Sequence, residues 1–281
     1  MLGTFPHQTR AWGNTLIYVL AGGGALLLMT PFLYMVGTAF KPHAFVLELP
    51  PNIIPHEPTL DNFVRAWTSN NFQQYFVNSV LVTVSSTAIT VVLSAMLAYA
   101  FARYEFPGKN LLFYAILATL MVPSMVLIIP QFVLAKNLHL LNSLWGLVVA
   151  YSAGSALNVF LLRGFFEEIP RDLDDAGRID GCNILTLFVY VMLPLARPAL
   201  ATVTIFSFLA SWDEFTWAVT SLSDDTLYTL PVAIRMFQRA HATEWGLVFA
   251  ASVIAVLPVI LVFLVFQRSF VKGLVAGAVK G

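Results

Sequence analysis

Asp213 and Glu214 stand side by side in the motif SWDEFTW, near the far end of an apolar stretch running from Val189 to Thr220. Two carboxylates in such surroundings could relay protons, hold a cation or hydrogen-bond a polar solute. They also neighbour Trp212 and Trp217, the residue type that gathers at membrane–water boundaries, so marking that boundary is the plainer reading. Asn78 and Ser79 form a weaker polar pair near the start of another apolar stretch. Helix–helix hydrogen bonding is the ordinary use of such residues. The other concentration of chemistry is EEIPRDLDDAGRIDG, residues 167–181, the most charged run of the chain. Its acids alternate with small and apolar residues, the pattern of a short amphipathic helix.

Signatures of catalysis are missing. There is no HExxH, no GxSxG and no pair of histidines; His7, His43, His56, His139 and His241 are scattered without metal-ligand spacing. Cys182 is the single cysteine, so no intrachain disulfide can form. The terminal GLVAGAVKG is rich in glycine but lacks the GxxxxGK[ST] spacing, and no Ser or Thr follows Lys280. The chain therefore cannot cradle ATP phosphates by that device.

The elements that must position these residues are apolar. Of 281 residues, 58% are hydrophobic and 11% charged, with zero net charge. That is less than half the charge of an ordinary soluble domain, at about 25%. A water-soluble fold could not cover so much apolar surface, and the neutral balance argues against nucleic acid. About 20 apolar residues cross a bilayer as a helix. Six stretches meet that length: about 15–40, 75–101, 111–135, 143–165, 189–220 and 247–266. The first has no charge from Ala11 to Phe40, far longer than a signal peptide's apolar region, and reads as a retained helix. Pro31, Pro123, Pro130, Pro194, Pro198 and Pro258 lie within these stretches and predict kinks or breaks.

Charge sets the expected orientation. With both termini cytoplasmic, ten Lys and Arg residues fall inside and five outside. The short RYEFPGK loop, Arg103–Lys109, is the clearest inside marker. The outer loop 41–74 predicts a short amphipathic piece around Leu60–Trp67. The inner loop predicts a short helix outside the bilayer. Pro170 suits its first turn, and Asp172, Asp174 and Asp175 suit the positive end of the helix dipole. Leu173, Ala176 and Ile179 form one apolar stripe, and Asp180-Gly181 reads as the stop.

DAGRIDGC, Asp175 to Cys182, resembles the EAAxxDGA signature of ABC-importer permease subunits, and Phe188 and LPLARP (193–198) continue it. Asp175 replaces the usual Glu, and Gly177 and Cys182 the usual Ala. NSVLVTVSS, AYAFARYEFPGK, MVPSMVLIIPQFVLAKNLHLLNSLWGLVVAY and FLLRGFFEEIPRDLDDA resemble the carbohydrate-uptake branch. SWDEFTW resembles its WNEF-type motif, with Asp213 in the Asn place, and FVKGLVAGAVKG resembles a maltose-transporter-type C-terminus.

The resemblance implies an all-α integral membrane fold of type I ABC importer permeases, with six transmembrane helices and a cytoplasmic coupling helix at about 170–182. The expected division is a cytoplasmic N-terminus (1–14), a first helix (15–40), an external loop (41–74), a permease core (75–266) and a cytoplasmic tail (267–281). It implies that Asp175, Ala176, Gly177, Ile179, Asp180 and Gly181 meet an ATPase subunit, and that Gly277, Lys280 and Gly281 reach it from the tail. Asn78, Trp212, Asp213, Glu214 and Phe215 are the candidates for a substrate pathway or gate. Implied partners are a second homologous permease subunit, two copies of a cytoplasmic ATPase subunit, an extracytoplasmic solute-binding protein and the lipid of a bacterial or archaeal cell membrane. ATP and Mg would be held by the ATPase subunits, with no cofactor in this chain. The competing expectation is a secondary transporter driven by an ion gradient, using Asp213 and Glu214 as coupling carboxylates.

Overall fold

Uninterrupted apolar runs fold as long helices, and among the described residues three are long and apolar enough to cross a membrane. The computed structural model describes residues 8–42, 52–69, 71–153, 155–237 and 244–278, and no strand occurs among them. The three are α1 (Gln8–Ala39), α3 (Phe72–Arg103) and α14 (Trp245–Ala278), with the short α2 (Asp61–Thr68) between the first two. Pro31 and Pro258 lie inside α1 and α14 without ending them. The last helix runs past the expected boundary at 267, since no proline interrupts the sequence from Gln267 to Ala278.

The other three expected spans are each bent sharply at a break, giving six spans only if each bent pair counts as one. Residues 111–135, expected as one helix, divide into α4 (Lys109–Ala118) and α5 (Ile128–Asn137), joined by 3-10 turns and bent by 98°. The break is at Val122-Pro123, where Val122 is extended, as the residue before proline prefers to be. Pro130 sits in the first turn of α5, where its missing N–H costs nothing. The fourth stretch divides into α6 (Leu144–Ser152) and α7 (Ala156–Glu168). After α8 (Asp172–Ile179), the fifth begins earlier than expected, at α9 (Ile184–Leu187). A π-helical turn over Phe188–Met192 leads into α10 (Leu193–Leu195), and α11 (Arg197–Trp212) leaves it at 83°. Pro194 and Pro198 flank that bend, each lacking a donor for the preceding turn. A further break at 213–215 precedes α12 (Thr216–Ser221), and α13 (Leu230–Phe237) follows.

The described residues cluster as two units. The first comprises Met1–Ser69 and Phe237–Ile254. Here the apolar window of α1 is unburied by its own chain. The expected amphipathic piece is α2, whose buried Asn62 donates to the carbonyls of Ala39 at 3.0 Å and Lys41 at 2.7 Å, so satisfying the end of α1. Arg65 pairs with Glu244 at 2.7 Å.

The second unit comprises Asn70–Met236 and Ala255–Gly281 and is organised around α3, which packs on α6, α7 and α11. Its pattern is that of a membrane helix. Ser79, Thr83, Ser86, Ser94, Ala95 and Ala98 face the neighbouring helices, while Val77, Leu81, Val84, Leu93, Met96 and Leu97 face out. Lipid tails are as apolar as leucine, so association rests on small residues that let backbones approach and on interhelical hydrogen bonds. Ser86 donates to Ser211 at 3.1 Å and Asn158 to Ser207 at 2.8 Å. One aromatic core, including Tyr99, Phe101, Phe113, Phe166 and Phe188, lies at the α8 end of this unit. Another, including Val82, Leu147, Trp217 and Leu222, lies along α3 toward its start.

Candidate functional site

The short helix expected between the fourth and fifth stretches is α8, Asp172–Ile179. Its stop is built as the DG signal foretold. Gly181 has φ 83°, a left-handed conformation that glycine takes without strain. Its N–H donates to Arg178 O at 3.1 Å, and the N–H of Cys182 donates to Gly177 O at 2.9 Å, the paired bonds of a Schellman motif. Asn183 then caps α9 by accepting from the Thr186 N–H at 2.8 Å.

Two faces of α8 have opposite fates. The inward face is Asp174 and Gly177. A Cβ on Gly177 would meet Leu187 Cδ1 at 2.5 Å, so glycine lets α8 close on α9. Asp174 lies 3.3 Å from Arg103 Nε, with the two side chains only 10% and 5% exposed. The Nε–H is not aligned on Oδ2, so the contact is ionic more than a hydrogen bond. The same guanidinium donates to Ile169 O at 2.7 Å. Arg103, the last residue of α3, thereby holds both the approach to α8 and its first turn. Nothing in the sequence pointed to this pair, because its partners are 71 positions apart.

The outward face carries the expected apolar stripe, and this chain leaves it bare. Leu173 is 39% exposed and Ile179 86%, with Ala176 exposed between them. Asp175 and Asp180 are exposed too, with Asp175 at 4.0 Å from Arg178. Of the six residues expected to meet an ATPase, Asp175, Ala176, Ile179, Asp180 and Gly181 are exposed, whereas Gly177 is buried, because its missing side chain is used for close packing of α8 on Leu187 of its own chain. Gly277 lies at the end of α14, while Lys280 and Gly281 lie outside the described residues.

The pathway candidates separate. Glu214 Oε1 accepts from the Trp217 N–H at 2.8 Å, and its Oε2 accepts from the Ala218 N–H at 3.2 Å and the Tyr151 hydroxyl at 2.8 Å. It caps the first turn of α12, where a negative charge also suits the helix dipole. Trp212 is buried, stacked on Phe208 with ring centroids 5.5 Å apart, and its indole N–H donates to Ala255 O at 3.0 Å. Asn78 is buried and donates to the carbonyls of Thr226 and Tyr228 at 2.9 and 3.0 Å, while Ser79 accepts from the Leu230 N–H at 2.7 Å. Asn78 ties α3 to the segment before α13, and Ser79 ties it to the first residue of α13. Phe215 is half-buried against the core that holds Trp217. Asp213 alone among the carboxylates of this motif is exposed, with no side-chain partner among the described residues. A residue missed at the sequence level is Asn142, at φ 51°, whose side-chain oxygen accepts from the N–H groups of Ser223 and Asp224 at 3.0 and 2.9 Å. Asp224 in turn accepts from Thr226, which lowers its carboxyl below the usual range. An Asn followed by Ser was its only local signal. No group of three or more metal-ligating side chains occurs among the described residues.

With this geometry the chain can offer a partner a small apolar ridge rimmed by carboxylates, anchored from behind. Comparisons with known proteins agree on its kind. The chain is 37% identical to the diacetylchitobiose uptake system permease protein of Streptomyces coelicolor over 87% of this chain and 82% of that protein. It is 34% identical to the trehalose/maltose transport system permease protein of Thermococcus litoralis over 92% of this chain and 93% of that protein. Its fold matches, with a TM-score of 0.83 and 24% identity over 96% of this chain and all of the other, a chain of a bacterial ABC transporter involved in the import of the acidic polysaccharide alginate. Residues 90–275, which span α8 and both of its anchors, match the family described as binding-protein-dependent transport system inner membrane component, and the chain belongs to that family.

Proposed function

We propose that this chain is one of two permease subunits forming the pathway of an ATP-driven importer for a sugar or a sugar-like solute, glycerol phosphates included. The solute class rests on the two relatives, named for diacetylchitobiose and for trehalose/maltose. As a permease subunit the chain is not a catalytic enzyme. ATP and Mg belong to two copies of a cytoplasmic ATPase subunit, and an extracytoplasmic binding protein delivers the solute to the opposite side. The six-span count, with both termini and α8 in the cytoplasm, is part of this reading and agrees with the ten-to-five bias of Lys and Arg.

The observation that carries the proposal is the bare stripe of Leu173, Ala176 and Ile179 on a helix whose other face is pinned. An apolar ridge outside the bilayer is unfavourable in water and calls for a groove to cover it. The ATPase supplies that groove. Its closing on ATP moves α8, and the Arg103–Asp174 contact and the Gly177–Leu187 packing pass the displacement to α3 and α9 as rigid-body rocking. The ATPase can drive this only if its two states hold α8 with different affinity. The C-terminal residues Gly277, Lys280 and Gly281 add a second contact to the ATPase. Asp213 and Phe215 remain the candidates for the outer part of the pathway, with Asn78, Trp212 and Glu214 shaping it from behind.

The test is Ile179→Asp. A surface substitution away from the core changes stability by about 0.5 kcal/mol or less. The variant is therefore expected to insert and fold as wild type, yet to lose the ATPase subunit on affinity purification. Copurification at the wild-type level would overturn the proposed docking face.

A further inference from the structure

The α3–α4 loop, the end of α7 and the approach to α8 enclose a polar cavity of about 450 Å³ beside the docking helix. Four cations line it, Arg103, Lys109, Arg163 and Arg171, against two carboxylates, Glu105 and Glu167. Asp174, behind Arg103, is a third. Three of the cations are held in place. Lys109 pairs with Glu105 at 2.8 Å, and Arg163 pairs with Glu167 at 2.8 Å while its guanidinium lies 3.9 Å from the centre of the Phe113 ring. Arg103 is fixed by Ile169 and Asp174. Arg171 has no hydrogen-bond or ion-pair partner for its guanidinium among the described residues, although it is close enough to act on Glu105. The hydrogen bond from Lys109, then the charges of Lys109, Arg171 and Arg163, hold the Glu105 carboxyl below the usual range. Arg103, Lys109 and Arg163 are each balanced by a carboxylate, so Arg171 leaves the lining one positive charge in excess, and Asn110 adds an amide to it.

The neighbouring surface says which anion belongs there. Immediately after the cavity residues Lys109 and Asn110, α4 turns outward Leu111, 75% exposed, Leu112, 52%, and Tyr114, 67%. A fixed cluster of guanidinium and ammonium groups next to an unpartnered apolar helix face matches an amphiphile with an anionic head. We infer that this cavity binds a phosphate-bearing anion, and that its occupant is the headgroup of an anionic phospholipid whose acyl chains lie along α4. Since Arg171 directly precedes α8, an occupied site ties the docking helix to the membrane surface as well as to α3. The inference does not depend on which solute is carried or on which face of α8 a partner covers.

The experiment uses the complex as extracted from membranes, placed in nanodiscs of phosphatidylcholine alone or of phosphatidylcholine and phosphatidylglycerol in equal amounts. Lipid retained by the protein is read by native mass spectrometry, and Tm by thermal unfolding. Phosphatidylglycerol is expected to be retained and to raise Tm, and Arg171→Gln to weaken retention about fivefold, the effect of one basic contact with an anionic surface. Arg171→Lys is expected to restore most of it, and Glu105→Gln to strengthen it. Should Arg171→Gln fail to assemble, Lys109→Gln tests the same site from the other side. A third arm adds inorganic phosphate to the phosphatidylcholine discs. A rise in Tm with phosphate that Arg171→Gln abolishes, without any preference for phosphatidylglycerol, would overturn the lipid assignment in favour of a free phosphate. If neither anion distinguishes the variants from wild type, the cavity is not an anion site.

Discussion

Gly181 and Asp213 are the two residues whose substitution separates a backbone requirement from a charge requirement. Gly181 holds φ 83° with open space around its Cα, so what forbids a side chain there is conformation and not crowding. The left-handed region costs an L-residue about 1–2 kcal/mol, and a β-branched one most of all. Gly181→Val is expected to unwind the Schellman stop, with insertion intact but the ATPase lost or uptake abolished. Normal uptake by that variant would mean the turn is dispensable. Asp213 is exposed and lacks a side-chain partner, unlike Glu214 beside it. Asp213→Asn keeps the hydrogen-bonding shape, and uptake is expected to stay within about twofold of wild type, a change worth ~0.4 kcal/mol. Loss of uptake in the reconstituted transporter would show that the charge itself is used. The sequence put these two acids together as a pair. The backbone divides them, because the break after α11 turns one onto the first turn of α12 and leaves the other free.

At the scale of elements, α8 is held to the end of α3 by one nearly buried charge pair, Asp174 with Arg103. Asp174→Asn removes the negative charge of that pair and leaves Arg103 uncompensated beside a nearly buried neighbour. Breaking a buried pair from one side typically costs about 3–5 kcal/mol. The variant complex is expected to lose thermal stability and to hydrolyse ATP while importing less solute per ATP, since α8 still docks but no longer moves α3. Equal coupling ratios in variant and wild type would rule out that role for the pair. How legible this was differs from element to element. The position of α8, its stripe and its stop could be read directly, because caps, dipole and periodicity are local. The bends at Val122-Pro123 and Ala196 were signalled by proline, but proline does not tell a broken helix from a continuous one: Pro31 and Pro258 leave α1 and α14 whole. Which outcome follows depends on neighbours able to satisfy the freed carbonyls.

For the whole molecule, the two readings of the acidic motif predict different energy sources. A carboxylate committed to two backbone N–H groups and a tyrosine hydroxyl is poorly free to load and unload an ion. Uptake by the reconstituted complex is therefore expected to require hydrolysable ATP and to survive collapse of the proton and sodium gradients. Uptake driven by a gradient with this chain alone would return the secondary-transporter reading. Hydrophobic composition by itself determined that this chain is helical and spans a membrane, and local pattern determined that a short amphipathic helix ends at Asp180-Gly181; the permease reading came from the resemblance of DAGRIDGC to a family signature. Composition and local pattern are properties of short windows, set by transfer free energy per residue and by local backbone preference. Tertiary structure alone decided which face of α8 is spent on its own chain, that Arg103 pins it across 71 residues, that Asn78 and Glu214 are fasteners, and that four cations meet in one cavity. Those facts depend on helices far apart in sequence being brought side by side, and no local pattern of residues encodes that distance.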